Sequence, residues 1–188
     1  MIDPEERARA DFYGLLARLF YGPPDAALLQ AIAATKMEGE GLGEAWRELS
    51  HAAAAADPEA VREEYESRFV GTGKAPVTLY TSAYTVRFTN EVPLATLRGE
   101  LAGLGLARQE GVHEPEDHIA ALCDTMRHLI AEQRDLAEQE RFFNRWVAPA
   151  AGPLCDAIDN DAGAVFYRRV SRFARRFFHI EQTAFEML

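Results

Sequence analysis

Residues 113–126 read HEPEDHIAALCDTM, and the reading of this stretch decides the fold. Pro115 suits the first position of a helix, because its missing N–H would have no partner there and its φ is already helical. Glu116 and Asp117 then fall in the first turn, where unpaired N–H groups and the helix dipole favour negative charge. Downstream, Ile119, Leu122, Met126, Leu129 and Ile130 recur at helical spacing, which predicts one face turned to a core. His128 lies one turn from both Asp124 and Glu132, so the other face is solvated and charge-balanced.

The same period near 3.6 runs along nearly the whole chain, and its breaks are rich in Pro, Gly and Asp, so the fold class is all-α. Asp3, Pro4 and Glu6 predict a capping box opening a helix that runs to about residue 20, with Phe12, Leu15, Leu16, Leu19 and Phe20 as its apolar stripe. A short helix follows residues 21–24, and another covers about 42–56. Asp57, Pro58 and Glu59 repeat the cap-plus-proline signal and start a helix through Val61, Tyr65 and Phe69 that stops at Gly71. Between residues 71 and 92 the period fails, and GTGKAPVTLYTSAYTVRFTNEV is rich in hydroxyl side chains. TLYTSAY, at 78–84, is the segment nearest to a strand. Pro93 opens a helix thinned by Gly99, Gly103 and Gly105, and a loop at 108–113 leads to the opening stretch. Further helices are predicted over 136–147, near 154–158, and from Ala162 toward Phe185.

With 188 residues, 48% of them hydrophobic and 27% charged, the chain reads as one folded unit and not as a disordered or fibrous one. Thirty acids against twenty Lys and Arg give a formal charge of -10, which repels nucleic acid and anionic membrane and favours cationic partners. The opening MIDPEERARADFY carries acids where an export leader needs basic residues and an apolar run, and no apolar stretch reaches about 18 residues. The expectation is a cytoplasmic protein without membrane insertion. Cys123 and Cys155 form no CxxC pair, which predicts free thiols. Arginines 168, 169, 172, 175 and 176 repeat at helical spacing opposite Val165, Phe166, Val170, Phe173 and Phe177, as on the solvated face of an amphipathic helix.

His113 and His118 stand five apart and do not share a helix face, and neither HExxH nor ExxH occurs. A metal-dependent enzyme centred on His113, Glu116 and His118 is therefore an alternative that needs ligands from other helices. A nucleophilic Cys123 would need a histidine brought in by the tertiary fold. A P-loop is excluded, since Gly73 and Lys74 precede Ala75 and the upstream glycine position holds Arg68. Two readings remain for the acids: a plain helical adaptor in which they only cap a helix, or a receptor for arginine. An exposed carboxylate at a helix start accepts two parallel N–H bonds from a guanidinium, which lysine does not offer.

EPEDH at 114–118, followed by the Met126-Arg127-His128-Leu129 core of its helix, resembles the E-P-x-D-H signature of the TorD/DmsD/NarJ family of redox-enzyme chaperones. YTSAY at 80–84, the opening ARADFYGLLARLFYGPPD, and FFNRWVAP and VFYRRVSRFARRFF toward the end extend the resemblance over most of the chain. Where many members carry a His-Leu-x-Pro-Trp pattern, this chain has Trp146, Val147, Ala148, Pro149 and Ala150. The resemblance implies a TorD-like helical bundle with a larger N-terminal lobe (about 1–107), a hinge (about 108–114) and a smaller C-terminal lobe (about 115–188). It also implies a cytoplasmic chaperone, not an enzyme. Such a chaperone binds the twin-arginine signal peptide, or another N-terminal segment, of a molybdenum-containing oxidoreductase. It holds that enzyme for cofactor insertion before export or assembly. Carried over by position, the signal-peptide site comprises Tyr80, Ser82, Tyr84, Pro115, Asp117 and His118, with no metal or cofactor beyond weak guanine-nucleotide binding. Monomers and domain-swapped dimers are both implied. His118, titrating near pH 6.5 when unperturbed, could tune the carboxylate beside it or be a structural hydrogen-bond partner.

Overall fold

The computed structural model describes residues 2–71, 74–86, 93–107 and 114–188. Among them the backbone forms no strand, only an isolated antiparallel bridge between Tyr80 and His118. Helix α1 (Pro4–Tyr21) is capped by the Asp3 carboxylate, which accepts the Glu5 N–H at 2.8 Å. Glu6 does not close a capping box; it pairs with Arg9 at 2.6 Å. Asp25 caps α2 (Ala26–Ala34) through the Leu28 N–H at 2.7 Å, and α3 spans Leu42–Ala55. Helix α4 (Pro58–Tyr65) widens into a π turn over Glu66–Val70 and ends at Gly71, whose φ of 62° favours a residue without a side chain.

After the one-turn α5 (Ser82–Thr85) and α6 (Pro93–Gly103), helix α7 spans Ile119–Ala131. It starts later than the proline suggests. Pro115, Glu116 and Asp117 lie in a turn before it, and the His118 ring is its cap, with Nδ1 accepting the Ala120 N–H at 3.2 Å. Helix α8 (Leu136–Phe142), a π turn (Phe143–Val147) and α9 (Ala148–Asn160) follow without a break, where the sequence suggested two separate helices. The last helix, α10 (Tyr167–Phe185), starts at Tyr167 and not near Ala162, because Glu64 reaches across from α4. Its carboxylate accepts the N–H groups of Phe166 at 2.9 Å and Tyr167 at 2.8 Å. Val165 thus sits ahead of the helix and is 71% exposed, while Phe166, Val170, Phe173 and Phe177 are buried as predicted.

Helices α1 and α7 pack against each other, and Leu16, Leu19 and Phe20 of α1, like the stripe of Ile119, Leu122, Met126, Leu129 and Ile130 on α7, are fully buried. Helix α10 lies against α3 and α9. Phe173 meets Trp46 edge-on at 5.3 Å, and Phe177 meets Tyr13 at 4.8 Å. Both cysteines are free and buried in this core. Apolar residues from either side of the expected hinge share it, and hinge positions 108–113 lie outside the described residues.

One polar group is set within the apolar packing. Arg9 of α1 presents a fork to Glu181 of α10, with Nε on Oε1 and Nη2 on Oε2, both at 2.8 Å. The Tyr13 hydroxyl donates to the same carboxylate at 3.0 Å, and Glu181 is 2% exposed. Burial, reinforced by the Glu181 charge, pushes the Tyr13 phenol well above its usual range, so it stays protonated as a donor. Deleting Arg9 strands a buried carboxylate. Arg9→Ala is expected to lower stability by about 3–5 kcal/mol, read from the urea midpoint, and Arg9→Lys, which keeps the charge but not the fork, by less.

Candidate functional site

The irregular segment around residue 80 cannot satisfy its backbone within a helix, so it does so against the turn before α7. The Ile119 N–H donates to the Leu79 carbonyl at 2.8 Å, and the Thr81 N–H to the Asp117 carbonyl at 2.9 Å. The Thr81 hydroxyl reaches that same carbonyl at 3.0 Å. The Asp117 carboxylate accepts the Ser82 N–H at 3.3 Å and the Ser82 hydroxyl as well. Beside it, the Tyr80 ring meets His118 edge-on at 5.3 Å, and its hydroxyl donates to Glu114. Burial and the Glu114 bond push the Tyr80 phenol up to about 12, which keeps it a donor at neutral pH.

This knot has a different opening on each side. On one side is a cleft of about 320 Å³ bordered by Thr81, Ser82, Thr85, Asp117, Arg145 and Trp146. Glu100 of α6 holds its far wall, accepting the Trp146 indole N–H at 2.6 Å and pairing with Arg145. On the other side a groove of about 1060 Å³ runs between α1, α7 and the end of α6. Ala10, Gly14, Ala17 and Tyr21 of α1 follow one helical face and form its shallow floor, joined by Leu101 and Leu106. Carboxylates border it at Asp11, Glu114, Glu116 and Asp124, against the guanidiniums of Arg18 and Arg127. Four acids against two arginines leave the groove net negative.

Of the residues carried over from the resemblance, His118 borders the groove, whereas Ser82 and Asp117 border the smaller cleft. Tyr84 turns its hydroxyl onto the Thr78 carbonyl at 2.8 Å, and the Pro115 carbonyl accepts the His118 N–H at 3.1 Å. Asp117 is 5% exposed, so it is not the open helix-tip carboxylate that the sequence pattern suggests. Its hydrogen-bonding capacity is directed at Ser82, thirty-five residues away in the chain. The groove acids Asp11 and Asp124, and the α1 floor, escape a motif-based reading. Their only signal is the recurrence of small residues at 10, 14 and 17.

His113, part of the metal alternative, lies outside the described residues. Among the described residues, no three of His, Cys, Asp and Glu are grouped to hold a metal ion. Burial also pushes the Cys123 thiol up, which disfavours a nucleophilic thiolate.

A family model described as the nitrate reductase delta subunit matches residues 36–178, a span that includes the knot, α6 and α7. The chain belongs to the nitrate reductase delta subunit family. That family consists of molybdoenzyme-maturation chaperones, which are not catalytic, and the general role follows. A Haemophilus influenzae protein described as uncharacterized is 26% identical over 171 residues, covering 86% of this chain and 85% of its own length. No helix among the described residues is long and apolar enough to cross a membrane.

His118 sits at the point where this delta-family knot meets the groove, and burial lowers its pKa against the opposing pull of Glu114 and Asp117. As pH falls, the unfolded chain takes up this proton first, at about 6.5. Stability present above that value is lost as pH drops toward the folded pKa. His118→Asn keeps a capping acceptor but does not titrate. Urea midpoints at about pH 7.5 and 5.5 should therefore differ less in the variant than in the wild type.

Proposed function

We propose that this chain binds the twin-arginine signal peptide, or an equivalent N-terminal segment, of a molybdenum-containing oxidoreductase along the α1–α7 groove. It holds the enzyme in the cytoplasm until the cofactor is in place, before export or assembly. The observation that carries this reading is the pairing, in one groove, of a small-residue apolar floor with the carboxylates of Asp11, Glu114, Glu116 and Asp124. A twin-arginine leader joins two guanidiniums to a moderately apolar run, and the groove offers a counterpart for each part.

In this reading His118 contacts the peptide directly, with Tyr80 packed against it and Pro115 shaping the turn. Ser82, Tyr84 and Asp117 position that wall and do not themselves hold an arginine. Each charge-assisted contact contributes about 1.5–3 kcal/mol and buried apolar surface about 25 cal/mol per Å², while ordering the peptide takes back several kcal/mol. The balance falls in the micromolar range, which suits a holdase that must release its client. One chain supplies the whole groove, so a monomer suffices and a domain-swapped dimer would carry two sites. No bound nucleotide or metal is needed.

Calorimetric titration with a peptide carrying two arginines ahead of an apolar run, and with its Lys-Lys counterpart, tests the reading. The Lys-Lys peptide should bind about tenfold more weakly. Glu114→Gln with Glu116→Gln should weaken the Arg-Arg peptide while leaving folding intact. Equal affinity for the two peptides, or no binding of either, contradicts the proposal and favours the helical-adaptor alternative.

A further inference from the structure

Helix α1 turns Ala10, Gly14, Ala17 and Tyr21 to the groove along one face, and Tyr21 is the only large side chain of the four. The floor therefore ends in a wall. Leu19 and Phe20 beside it are fully buried, whereas Tyr21 is 61% exposed, so packing of α1 does not account for an aromatic ring at this position. Among the described residues guanidiniums lie over two rings, Arg9 over Phe185 at 5.6 Å and Arg145 over Trp146 at 5.2 Å, and none lies over Tyr21.

The same end of the groove holds the Glu114 carboxylate. Tyr65 donates its hydroxyl to the carbonyl of Phe20, the residue before Tyr21, at 3.0 Å. Its phenol is pushed up by burial and next by the Glu114 charge, with Tyr80 and Tyr21 contributing, so these side chains gather around the end of α1. Glu114 is exposed, and among the described residues it accepts only from the neutral Tyr80 hydroxyl. By contrast, Asp124 accepts from Arg127 at 2.7 Å and Glu116 from Arg98 at 3.0 Å. Asp11 lies about 15 Å back along the α1 axis from Tyr21.

We infer that Tyr21 and Glu114 together seat one arginine of the bound peptide, the guanidinium stacking on the open face of the Tyr21 ring and directing its N–H groups at the Glu114 carboxylate. This deepens the groove reading and rests on it. A guanidinium is planar and weakly hydrated, so it lies flat on a ring while its edge stays hydrogen-bonded. An ammonium is compact and strongly hydrated and gains less from the ring. Part of the preference for arginine over lysine thus comes from α1 and not from carboxylates alone. With an arginine at this end, the apolar run of the peptide lies along the small-residue floor behind it.

Calorimetry with the Arg-Arg and Lys-Lys peptides on the full chain and on its Tyr21→Leu, Tyr21→Phe and Glu114→Gln variants tests this. Tyr21 is largely in solvent, so neither of its substitutions disturbs the core. Tyr21→Leu keeps apolar surface but no π face, and it should bind the Arg-Arg peptide about fourfold more weakly and the Lys-Lys peptide less than about twofold more weakly. Tyr21→Phe, which retains the ring, should recover most of that loss. Because ring and carboxylate hold the same guanidinium, Tyr21→Leu combined with Glu114→Gln should weaken binding by less than the product of the two single effects. Unchanged Arg-Arg affinity in Tyr21→Leu, or equal losses in the leucine and phenylalanine variants, overturns this inference; the groove reading stands if Glu114→Gln still weakens the peptide. Absence of binding to the wild type overturns both.

Discussion

The junction between the segment around Thr81 and the turn before α7 is the constraint on which the site depends. Neither segment has a helix or sheet of its own to absorb its backbone donors and acceptors, and each supplies the other's partners. The Asp117 carboxylate secures the junction through Ser82. The same bonds determine where α7 begins, and hence which of residues 114–118 border the groove and which the smaller cleft. A carboxylate that looks in sequence like a ligand-binding group acts here as a brace, and the neighbouring Glu114 and Glu116 border the groove.

The opposite wall of the groove depends on a different polar contact. Helix α1 is fastened to α10 by the fork from Arg9 to Glu181, with Tyr13 as a further donor. A buried ion pair contributes little net stability when compared with apolar packing, but it is intolerant of rotation. Holding α1 at one rotational setting keeps Ala10, Gly14 and Ala17 toward the groove. Small side chains there leave room for a ligand and allow Arg127 to lie across the floor. Packing, rotation and electrostatics meet on that one helix.

What was legible in the sequence is what depends on neighbours in the chain. The cap at Asp3 with Pro4, the stop at Gly71 and the buried stripe from Ile119 to Ile130 follow from local backbone rules and helical period, and each is found as expected. The misplacements have distant causes. Helix α7 starts at Ile119 because Leu79 and Thr81 claim the turn before it, and α10 starts at Tyr167 because Glu64, more than one hundred residues earlier, caps it. The partnership of Arg9 with Glu181 spans 172 residues and leaves no periodic trace. Tyr80, Ser82, Asp117 and His118 could be singled out by resemblance, yet their mutual bonding, and so the division between contact and brace, appears only in three dimensions.

The central claim is that a peptide lies between α1 and α7 on the acidic side of the knot. Hydrogen–deuterium exchange of the chain alone and saturated with an Arg-Arg peptide tests it most directly. Slowed exchange over residues 10–21 and 114–128, with α9 and the body of α10 unchanged, is the predicted result. Protection confined to residues 93–96 and 145–146, around the smaller cleft, with α1 unaffected, would contradict the account.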